Sequence, residues 1–423
     1  MRISIVSNIF SPHVRGGYEL GCETIAERLV ERGHIVDILT SGVVGRLEKT
    51  RSRTRLNVRR IFAPIFEYEE LLNAHAGNNP FWQQRRRQAF GGVVVSNAAA
   101  LANCLAEDRP DVVWIFNPLG LGPIGVLEAS LTTGAKCIIH LMDNIDSVIV
   151  DHAAEPYYAP RLRRLKRSIS AISCSRKILI ANSRVGLYQS HRIIYNGVDF
   201  GAIPCGDGRQ KSGLFRFVYF GQVEEVKGVA NLIDAIALLR RDAPQLQFEL
   251  TIIGRGSEPF KLRLCEQIAK EKLGNCVRLL GFLPRDEFLP LLKDFDAAVM
   301  LLSSNEPFAY APVEAAAAGL PVIQTTGAGN VECLPSDYPL LIESRTDTQK
   351  VASLLRWCVM HRAELPRIGM ALREHMRAAC DLESIVLPSY LRVLETCRPS
   401  SGRFNITDLL ASNMTATTYG LYA

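Results

Sequence analysis

Apolar and polar positions alternate along the first 200 residues in a way that predicts repeated strand and helix pairs. Residues 3–8 form an apolar run, and after a glycine-containing loop the apolar side chains from Glu19 to Arg32 recur at helical spacing. Gly33 ends this helix, and Ile35–Thr40 follows as a second strand. Further strands are predicted at Val112–Phe116, Cys137–Leu141 and Ile178–Ala181. This alternation favours a parallel, doubly wound sheet.

A second series of the same kind follows residues 201–213, a stretch rich in Gly, Pro and Asp that we take as a linker. Its predicted strands are Phe215–Phe220, Phe248–Ile253, Val277–Leu280 and Ala297–Leu302. Its predicted helices are Val229–Leu239, Pro259–Lys272, Arg285–Leu292 and Pro312–Ala318. The predicted fold class is therefore α/β, with two Rossmann-like domains, residues 1–200 and 214–380, facing a central cleft. Residues 399–423 form a polar tail that we expect to be loosely ordered.

Composition agrees with a multidomain globular chain. The 423 residues are 48% apolar and 22% charged, which excludes a fully disordered or fibrous protein. The 11 cysteines include no C-x-x-C pair, so they fit neither a disulfide framework nor a zinc site and favour a reducing compartment. The first twelve residues contain no signal-peptide core, and no uninterrupted apolar run approaches the ~18 residues of a membrane span. We therefore expect a cytoplasmic protein.

The positive charge is confined to the first half of the chain. Residues 1–200 hold 25 Lys and Arg against 18 Asp and Glu, whereas the remainder holds 24 against 25. One source is a predicted basic amphipathic helix that starts at Arg161 and extends to Ile172; its cations are Arg161, Arg163, Arg164, Lys166 and Arg167. Such a helix can lie on an anionic membrane surface. Alternatively its apolar stripe packs on the first domain. Nucleic-acid binding is not expected, because no recognised nucleic-acid motif accompanies the charge.

Two carboxylates follow the predicted strand Ala297–Leu302. Glu306 falls in a loop, and Glu314 falls in what we predict to be the first turn of the next helix. Ligands of open α/β sheets sit at this end of the strands, where carboxylates can accept hydrogen bonds from the hydroxyls of a sugar or ribose. Alternatively Glu314 only complements the helix dipole.

At these residues the sequence resembles a known family, the retaining GT-B glycosyltransferases of family four, or glycosyl transferases group 1. The Glu-x7-Glu pair resembles the family signature, and five other segments resemble family motifs in the same order. These segments lie at Asn8–Glu19 with Glu31–Val36, Ile193–Asp199, Phe220–Gly228, Ile253–Gly256 and Gly327–Glu332. The resemblance implies a first domain that shapes the acceptor site and a second domain that holds a nucleotide-sugar donor. It also implies that residues 381–398 form a helix that crosses back to the first domain.

The resemblance assigns donor-binding roles to a set of residues in both domains. These are Gly16, Gly17, Gln222, Lys227, Arg255, Glu306, Phe308, Ala309 and Glu314. Lys227 is expected to neutralise charge on the leaving diphosphate. Gln222 stands where the family usually has Arg, and a neutral amide stabilises a diphosphate less well. Ala309 stands where the family often has Gly, and Ala would be disfavoured if that loop needed a positive φ.

His140, at the end of a predicted strand, resembles the family histidine that reaches the donor sugar, and Asp143 orients it or acts on the acceptor side. The expected catalytic residues are therefore His140, Lys227 and Glu306. We expect no cofactor and no essential metal, because Lys227 and helix N-termini meet the phosphate charge. The Asp294-Phe-Asp296 sequence lies at a helix-to-strand junction, away from the sugar motifs, and is not expected to bind a metal.

The reaction implied by the resemblance is transfer of a sugar from a nucleoside-diphosphate sugar to an acceptor hydroxyl, with retention of configuration. We expect a glycan or lipid-linked acceptor, a role in polysaccharide or glycolipid synthesis, and peripheral attachment to the inner face of a membrane. Two alternatives stay open at this point. The first is a nucleotide-sugar epimerase with the same architecture. The second is a binding or scaffold protein that keeps the fold after losing turnover.

Overall fold

The computed structural model describes residues 1–14, 16–42, 56–63, 80–206 and 213–400. The chain forms two compact units. Unit 1 comprises Met1–Ile194 and Ser389–Ala423, and unit 2 comprises Tyr195–Pro388. The division falls ahead of the predicted linker at 201–213, of which residues 207–212 lie outside the described residues. So do residues 401–423 of the predicted tail.

Unit 1 is built on a sheet that has seven parallel strands within the described ranges, in the order β3-β2-β1-β4-β5-β6-β7. The strands are β1 Arg2–Ser7, β2 Ile35–Ser41, β3 Asn57–Phe62, β4 Val112–Asn117, β5 Lys136–Leu141, β6 Ile169–Ser173 and β7 Tyr188–Ile193. The helices are α1 Gly17–Glu31, α2 Pro80–Gly91, α3 Val95–Asp108, α4 Pro123–Ser130, α5 Ile145–Val150, α6 Ala159–Leu165 and α7 Arg176–Ala181. Strands β1 and β4 are fully or largely buried on both faces, as expected for a sheet covered by helices.

Unit 2 repeats this plan with six parallel strands in its described part, in the order β10-β9-β8-β11-β12-β13. The strands are β8 Phe215–Phe220, β9 Phe248–Ile253, β10 Val277–Gly281, β11 Ala297–Met300, β12 Val322–Thr325 and β13 Leu341–Ile342. The helices are α8 Val229–Asp242, α9 Glu258–Lys270, α10 Arg285–Phe288, α11 Tyr310–Ala317, α12 Thr348–Met360, α13 Leu365–Cys380 and α14 Leu387–Thr396. Short 3-10 turns span Glu225–Lys227, Leu289–Asp294 and Gly329–Cys333, and a π turn spans Leu382–Val386. Helix α14 begins in unit 2 and belongs to unit 1 from Ser389 onward.

In each sheet the strand order reverses at one point. Strand β1 lies beside β4 in unit 1, and β8 lies beside β11 in unit 2. In open α/β sheets, the connections that leave two such strands run in opposite directions and open a crevice at the carboxyl edge. The reversal between β8 and β11 places the loops after these strands at the position where a ligand is expected.

Two predicted elements of unit 1 are wrong. Ile178–Ala181 is part of helix α7, not a strand, because the Ser175 hydroxyl accepts a hydrogen bond from the Ile178 N–H at 3.2 Å and caps the helix. The basic helix ends at Leu165 and does not continue to Ile172, because Arg167 adopts a left-handed φ of 53°. The following residues, Ile169–Ser173, form the buried strand β6, in which branched Ile side chains are favourable.

One helical stretch, Arg86–Asp108, is long and apolar enough to cross a membrane by length and composition alone. It consists of the end of α2 and all of α3, interrupted at residues 92–94, and 56% of its apolar window is buried inside the structure. The α3 side chains Leu101 and Leu105 are fully buried in unit 1. Burial of this kind is typical of a core helix.

Candidate active site

The predicted donor-binding residues of unit 2 lie in loops that leave the carboxyl edge of its sheet. Gly221 and Gln222 follow β8, Arg255 follows β9, and Glu306 lies in the loop after β11. Since β8 and β11 are neighbours, the sheet brings these loops to the point at which its strand order reverses. Two predicted donor-binding residues, Gly16 and Gly17, belong to unit 1 and are described below.

Glycines at this edge allow one loop to touch the backbone of another. Gly254 has a φ of 152°, and a Cβ atom there would lie 1.7 Å from the carbonyl oxygen of Gly221. Gly228 has a φ of 75° at the start of α8, and its Cβ would lie 2.4 Å from the Leu301 carbonyl oxygen. Any other residue at either position would displace backbone at the strand ends. These contacts explain why the two glycine-containing segments, Phe220–Gly228 and Ile253–Gly256, need glycine.

Lys227 and Glu306 are joined directly. Lys227 is the last residue of the 3-10 turn before α8, and its Nζ donates to Oε2 of Glu306 at 2.6 Å. The two side chains are 21% and 14% exposed, so the pair is largely shielded but reachable from solvent. A partly desolvated cation beside a helix N-terminus is a suitable group to stabilise an anionic ligand.

The loop that carries Glu306 is held by backbone hydrogen bonds and by two asparagines. The Glu306 carbonyl accepts from the Gly329 N–H at 3.1 Å. Asn330 holds Ala309 from both sides, since its Nδ2 donates to the Ala309 carbonyl and its Oδ1 accepts from the Ala309 N–H, both at 2.8 Å. Asn196 donates to the Phe308 carbonyl at 2.8 Å. The loop is therefore fixed before any ligand binds.

These asparagines were not identified as site residues from the sequence. Both lie inside segments that resemble family motifs, Asn196 in Ile193–Asp199 and Asn330 in Gly327–Glu332. Asn330 is completely buried and Asn196 is 1% exposed. Their position within these segments was the available sequence signal for a role in the site, but the backbone groups that they bind are remote in sequence.

The acidic loop does not require glycine at position 309. Ala309 has a φ of −79°, which is ordinary for alanine.

Glu314 lies in the second turn of its helix, so its predicted place in the first turn is wrong. Helix α11 begins at Tyr310, two residues earlier than expected, and has no acidic residue in its first turn. Glu314 is 4% exposed and forms an ion pair with Arg285, the first residue of α10. The buried carboxylate is thus positioned by a partly exposed arginine, and Arg285 is a further residue that the sequence did not indicate.

Tyr219 connects the Gln222 loop to the acidic loop. Its hydroxyl donates to the Gln222 carbonyl at 2.5 Å. Burial, followed by the negative charge of Glu306, raises the pKa of Tyr219 far above its usual value, so the hydroxyl remains a donor. Arg255 lies with its guanidinium 3.7 Å from the centre of the Phe282 ring, a cation–π contact at the end of β10.

In unit 1, Gly16 and Gly17 begin α1. Gly16 is the residue before the helix, in an extended conformation, and its N–H donates to the Glu19 carboxylate at 2.8 Å. Asp143 follows β5, and its carbonyl accepts from Asn182 at 2.9 Å. These residues lie at the carboxyl edge of the unit 1 sheet.

His140 is buried among aromatic rings of unit 1. Its ring centre lies 4.4 Å from that of Phe116, 5.6 Å from that of Tyr390, and 6.1 Å from that of Trp114, to which it is nearly parallel. The side chain is 1% exposed, and burial lowers the pKa of the imidazole to about 3. His140 is therefore neutral at physiological pH, and a step that requires its protonation is disfavoured.

The basic cluster is not uniformly exposed. Arg161 is 3% exposed and forms an ion pair with buried Glu128, so its predicted membrane-facing position is wrong. Leu162 and Leu165, the apolar stripe of α6, are also buried in unit 1. Four cations remain exposed near the end of this helix: Arg163, Arg164, Lys166 and Arg167. The sequence has two further basic clusters, Arg51–Arg60 and Arg85–Arg87, and residues 51–55 of the first lie outside the described residues.

Asp296, the second carboxylate of the Asp294-Phe-Asp296 sequence, has protein partners. Asp296 accepts from Arg362 at 2.8 and 3.0 Å and from the Arg216 N–H at 2.8 Å. Within the ranges that the structure describes, no group of three or more His, Cys, Asp or Glu side chains is arranged to hold a metal ion.

Comparison with known proteins finds a family that matches part of unit 2. Residues 207–369 match the family described as glycosyl transferases group 1. The chain carries a group 1 glycosyltransferase domain. The match lies within unit 2 and includes Gln222, Lys227 and both acidic residues, so the family resemblance drawn from the motifs is confirmed.

Two relatives are similar to this chain over different lengths. It is 27% identical to a glycogen synthase of Mycobacterium tuberculosis over 91% of this chain and 92% of the relative. It is 26% identical to a D-inositol 3-phosphate glycosyltransferase of Pseudarthrobacter chlorophenolicus over 49% of this chain and 52% of the relative.

Solved structures show the same fold. Sucrose-phosphate synthase from Thermosynechococcus elongatus matches with a TM-score of 0.67 at 17% identity and covers 93% of this chain and 98% of its own. Anabaena HepE, crystallised with UDP and glucose, matches with a TM-score of 0.68 at 19% identity. This match covers 94% of this chain and 100% of HepE. The predicted GT-B fold with two Rossmann-like domains is confirmed.

Proposed function

We propose that the protein is a retaining glycosyltransferase that moves a sugar from a nucleoside-diphosphate sugar to an acceptor hydroxyl. The observation that carries the proposal is the Lys227–Glu306 pair, located before the N-terminus of α8 where the unit 2 strand order reverses. The relatives are named glycogen synthase and D-inositol 3-phosphate glycosyltransferase, and HepE was crystallised with UDP-glucose, which supports a nucleotide sugar as donor.

In this mechanism the donor diphosphate binds near Lys227 and the first N–H groups of α8. Binding draws the ammonium away from Glu306 or shares it between the carboxylate and the phosphates. As the bond from sugar to phosphate breaks, negative charge accumulates on the diphosphate, and Lys227 stabilises that charge. Gln222 supplies a neutral donor on the same edge, and Glu306 accepts hydrogen bonds from hydroxyls of the transferred sugar.

Retention is proposed to result from attack on the same face that the diphosphate leaves. The acceptor hydroxyl loses its proton to the departing diphosphate, and its oxygen bonds to the anomeric carbon. This route needs no protein nucleophile. A neutral His140 is compatible with it, because the imidazole is not required to transfer the proton. Unit 1 is proposed to bind the acceptor.

The test is a donor screen followed by analysis of the product. The protein is incubated with UDP-, GDP- and ADP-sugars, first for thermal stabilisation and then with a panel of glycan and lipid-linked acceptors. A product whose anomeric configuration by NMR equals that of the donor supports the proposal. An inverted product would refute retention. A C2-epimerised sugar formed without acceptor would favour the epimerase, and donor binding without product from any acceptor would favour the scaffold.

We also propose peripheral attachment to an anionic membrane from the cytoplasmic side, and a lipid-linked or glycan acceptor in polysaccharide or glycolipid synthesis. The exposed cations Arg163, Arg164, Lys166 and Arg167 support electrostatic attachment, whereas the buried stripe of α6 does not support insertion. Sedimentation with vesicles that contain about 30% anionic lipid, and with vesicles that contain none, tests this proposal. Equal binding to both vesicle types, or to neither, would refute it.

A further inference from the structure

Arg285 and Glu314 form an ion pair that connects two elements at the carboxyl edge of the unit 2 sheet. Arg285 begins α10, just after β10, and its Nη2 contacts Oε1 of Glu314 on α11. The arginine side chain is 35% exposed, whereas the carboxylate side chain is 6% exposed. One partner is thus buried and fixed, and the other reaches solvent beside it.

The chemistry of this pair sets the direction of the Glu314 carboxylate. An ionised carboxylate has two oxygens that together accept about four hydrogen bonds. The contact with Arg285 engages Oε1 and leaves acceptor capacity for a ligand, chiefly at the second oxygen. Because a guanidinium is planar and rigid, it holds a carboxylate in one orientation better than a lysine does. The positive charge also offsets the cost of burying the carboxylate.

We propose that Arg285 is a positioning residue that directs Glu314 toward the ribose hydroxyls of the donor nucleotide. This inference rests on the proposed function, because it requires a nucleotide in the site. The alternative is that the ion pair only ties α10 to α11. The two differ in one respect, since only a positioning role makes the effect of Arg285 depend on the ribose hydroxyls.

The experiment compares binding of nucleotides that have and lack those hydroxyls. Calorimetry on the full chain measures Kd for UDP, GDP and ADP and for their 2′,3′-dideoxy forms, and the tightest wild-type pair is then used with the variants. In the wild type we expect the dideoxy form to bind at least about tenfold more weakly, as for the loss of hydrogen bonds to a charged acceptor. In Arg285→Gln we expect the ribonucleotide to lose about tenfold while the dideoxy form changes little. The ratio between the two then falls toward one.

Two further variants help to interpret the binding ratios. Arg285→Lys keeps the charge without the planar group, and we expect an intermediate ratio; it also serves if Arg285→Gln does not fold. Arg278→Gln is the matched control, because Arg278 lies on β10 and pairs with Glu249 at 3.2 Å. It should leave both affinities within about twofold of the wild type, because Arg278 is 66% exposed and Glu249 keeps a second ion pair with Arg216.

The outcomes separate this inference from the proposed function. If the wild type binds none of the three nucleotides, the proposed function fails and the inference fails with it. If the wild type binds a nucleotide but does not prefer ribose, or if Arg285→Gln weakens both forms equally, the positioning role is refuted while donor binding stands. The positioning role is also refuted if the ratio of the dideoxy Kd to the ribonucleotide Kd is the same in Arg285→Gln as in the Arg278→Gln control.

Discussion

Lys227 donates to Glu306 at 2.6 Å, which joins the turn before α8 to the loop after β11. We expect Lys227→Ala and Glu306→Gln each to lower kcat/KM for transfer by at least about tenfold, because each removes a group that we propose contacts the donor. The double variant should lose less than the product of the two single effects, since the side chains act as a pair. Initial rates at varied donor concentration measure these effects.

The matched control for this pair lies on the surface of α9. Lys261 donates to Glu258 at 2.8 Å, and the two side chains are 36% and 79% exposed. Lys261→Ala should leave the rate unchanged within about twofold, because exposed ion pairs contribute little. Rates in both Lys227→Ala and Glu306→Gln that match this control would mean that the assigned site is wrong.

Gln222→Arg tests whether the Gln222 side chain faces the diphosphate. A guanidinium there adds a charge-assisted hydrogen bond, so we expect kcat or donor affinity to rise by about threefold or more. Gln245→Arg is the control, because it adds the same charge at an exposed position just before β9, at the opposite edge of the same sheet. If the two variants have the same steady-state constants, Gln222 does not contact the donor.

Asn330→Asp tests the support of the acidic loop. Aspartate keeps an acceptor for the Ala309 N–H but loses the donor to the Ala309 carbonyl, and it places a charge where the side chain is completely buried. We expect lower stability by about 1–3 kcal/mol and donor affinity reduced about tenfold. Denaturant titration and calorimetry measure the two effects. Asn305→Asp, at an exposed position one residue before Glu306, is the control, and equal behaviour of both variants would exclude a supporting role for Asn330.

Arg161→Ala is expected to destabilise the protein by about 3 kcal/mol, because it removes the buried cation beside Glu128 and leaves that carboxylate facing the half-exposed Arg164 at 4.0 Å. Arg163→Ala, on the exposed side of the same helix, should change stability by no more than about 0.5 kcal/mol. Chemical denaturation compares them. Vesicle-binding variants should therefore alter only the exposed cations Arg163, Lys166 and Arg167, since a fold lost through Arg161 would imitate lost membrane binding.

His140 predicts a specific pH dependence of stability. Its folded-state pKa of about 3 lies below the unfolded value of about 6.5, so the unfolded chain takes up the proton first as the pH falls. The free energy of unfolding should consequently fall by about 2 kcal/mol between pH 7.5 and pH 5 on account of this group. His140→Phe should remove that part of the loss. Denaturant titrations of both proteins at both pH values measure the effect. An equal decrease in stability in the wild type and the variant would contradict a buried, neutral His140.

The sequence predicts the fold well where local pattern determines structure. The strand Phe215–Phe220 is observed with the predicted bounds, because an apolar run before a glycine turn has few alternatives. Prediction fails at Ile178–Ala181, where the cap by Ser175 outweighs the strand preference of isoleucine. The candidate site is predicted from Lys227 and Glu306, whose motifs are recognisable in the sequence. Asn196, Arg285 and Asn330 were missed because their roles depend on partners that only folding brings together.

Unit 1 contains both ends of the described chain, and this has a consequence for synthesis on the ribosome. Tyr390 packs against Trp114 with ring centres 5.2 Å apart, and Lys136 donates to the carbonyls of Leu394 and Glu395 at 2.8 and 2.7 Å. These partners emerge more than 250 residues after Lys136. The segment of unit 2 is therefore synthesised in full while the nascent unit 1 still exposes the surface that α14 covers. A pause in translation or a premature stop just before Ser389 would leave that surface open to chaperones and proteases.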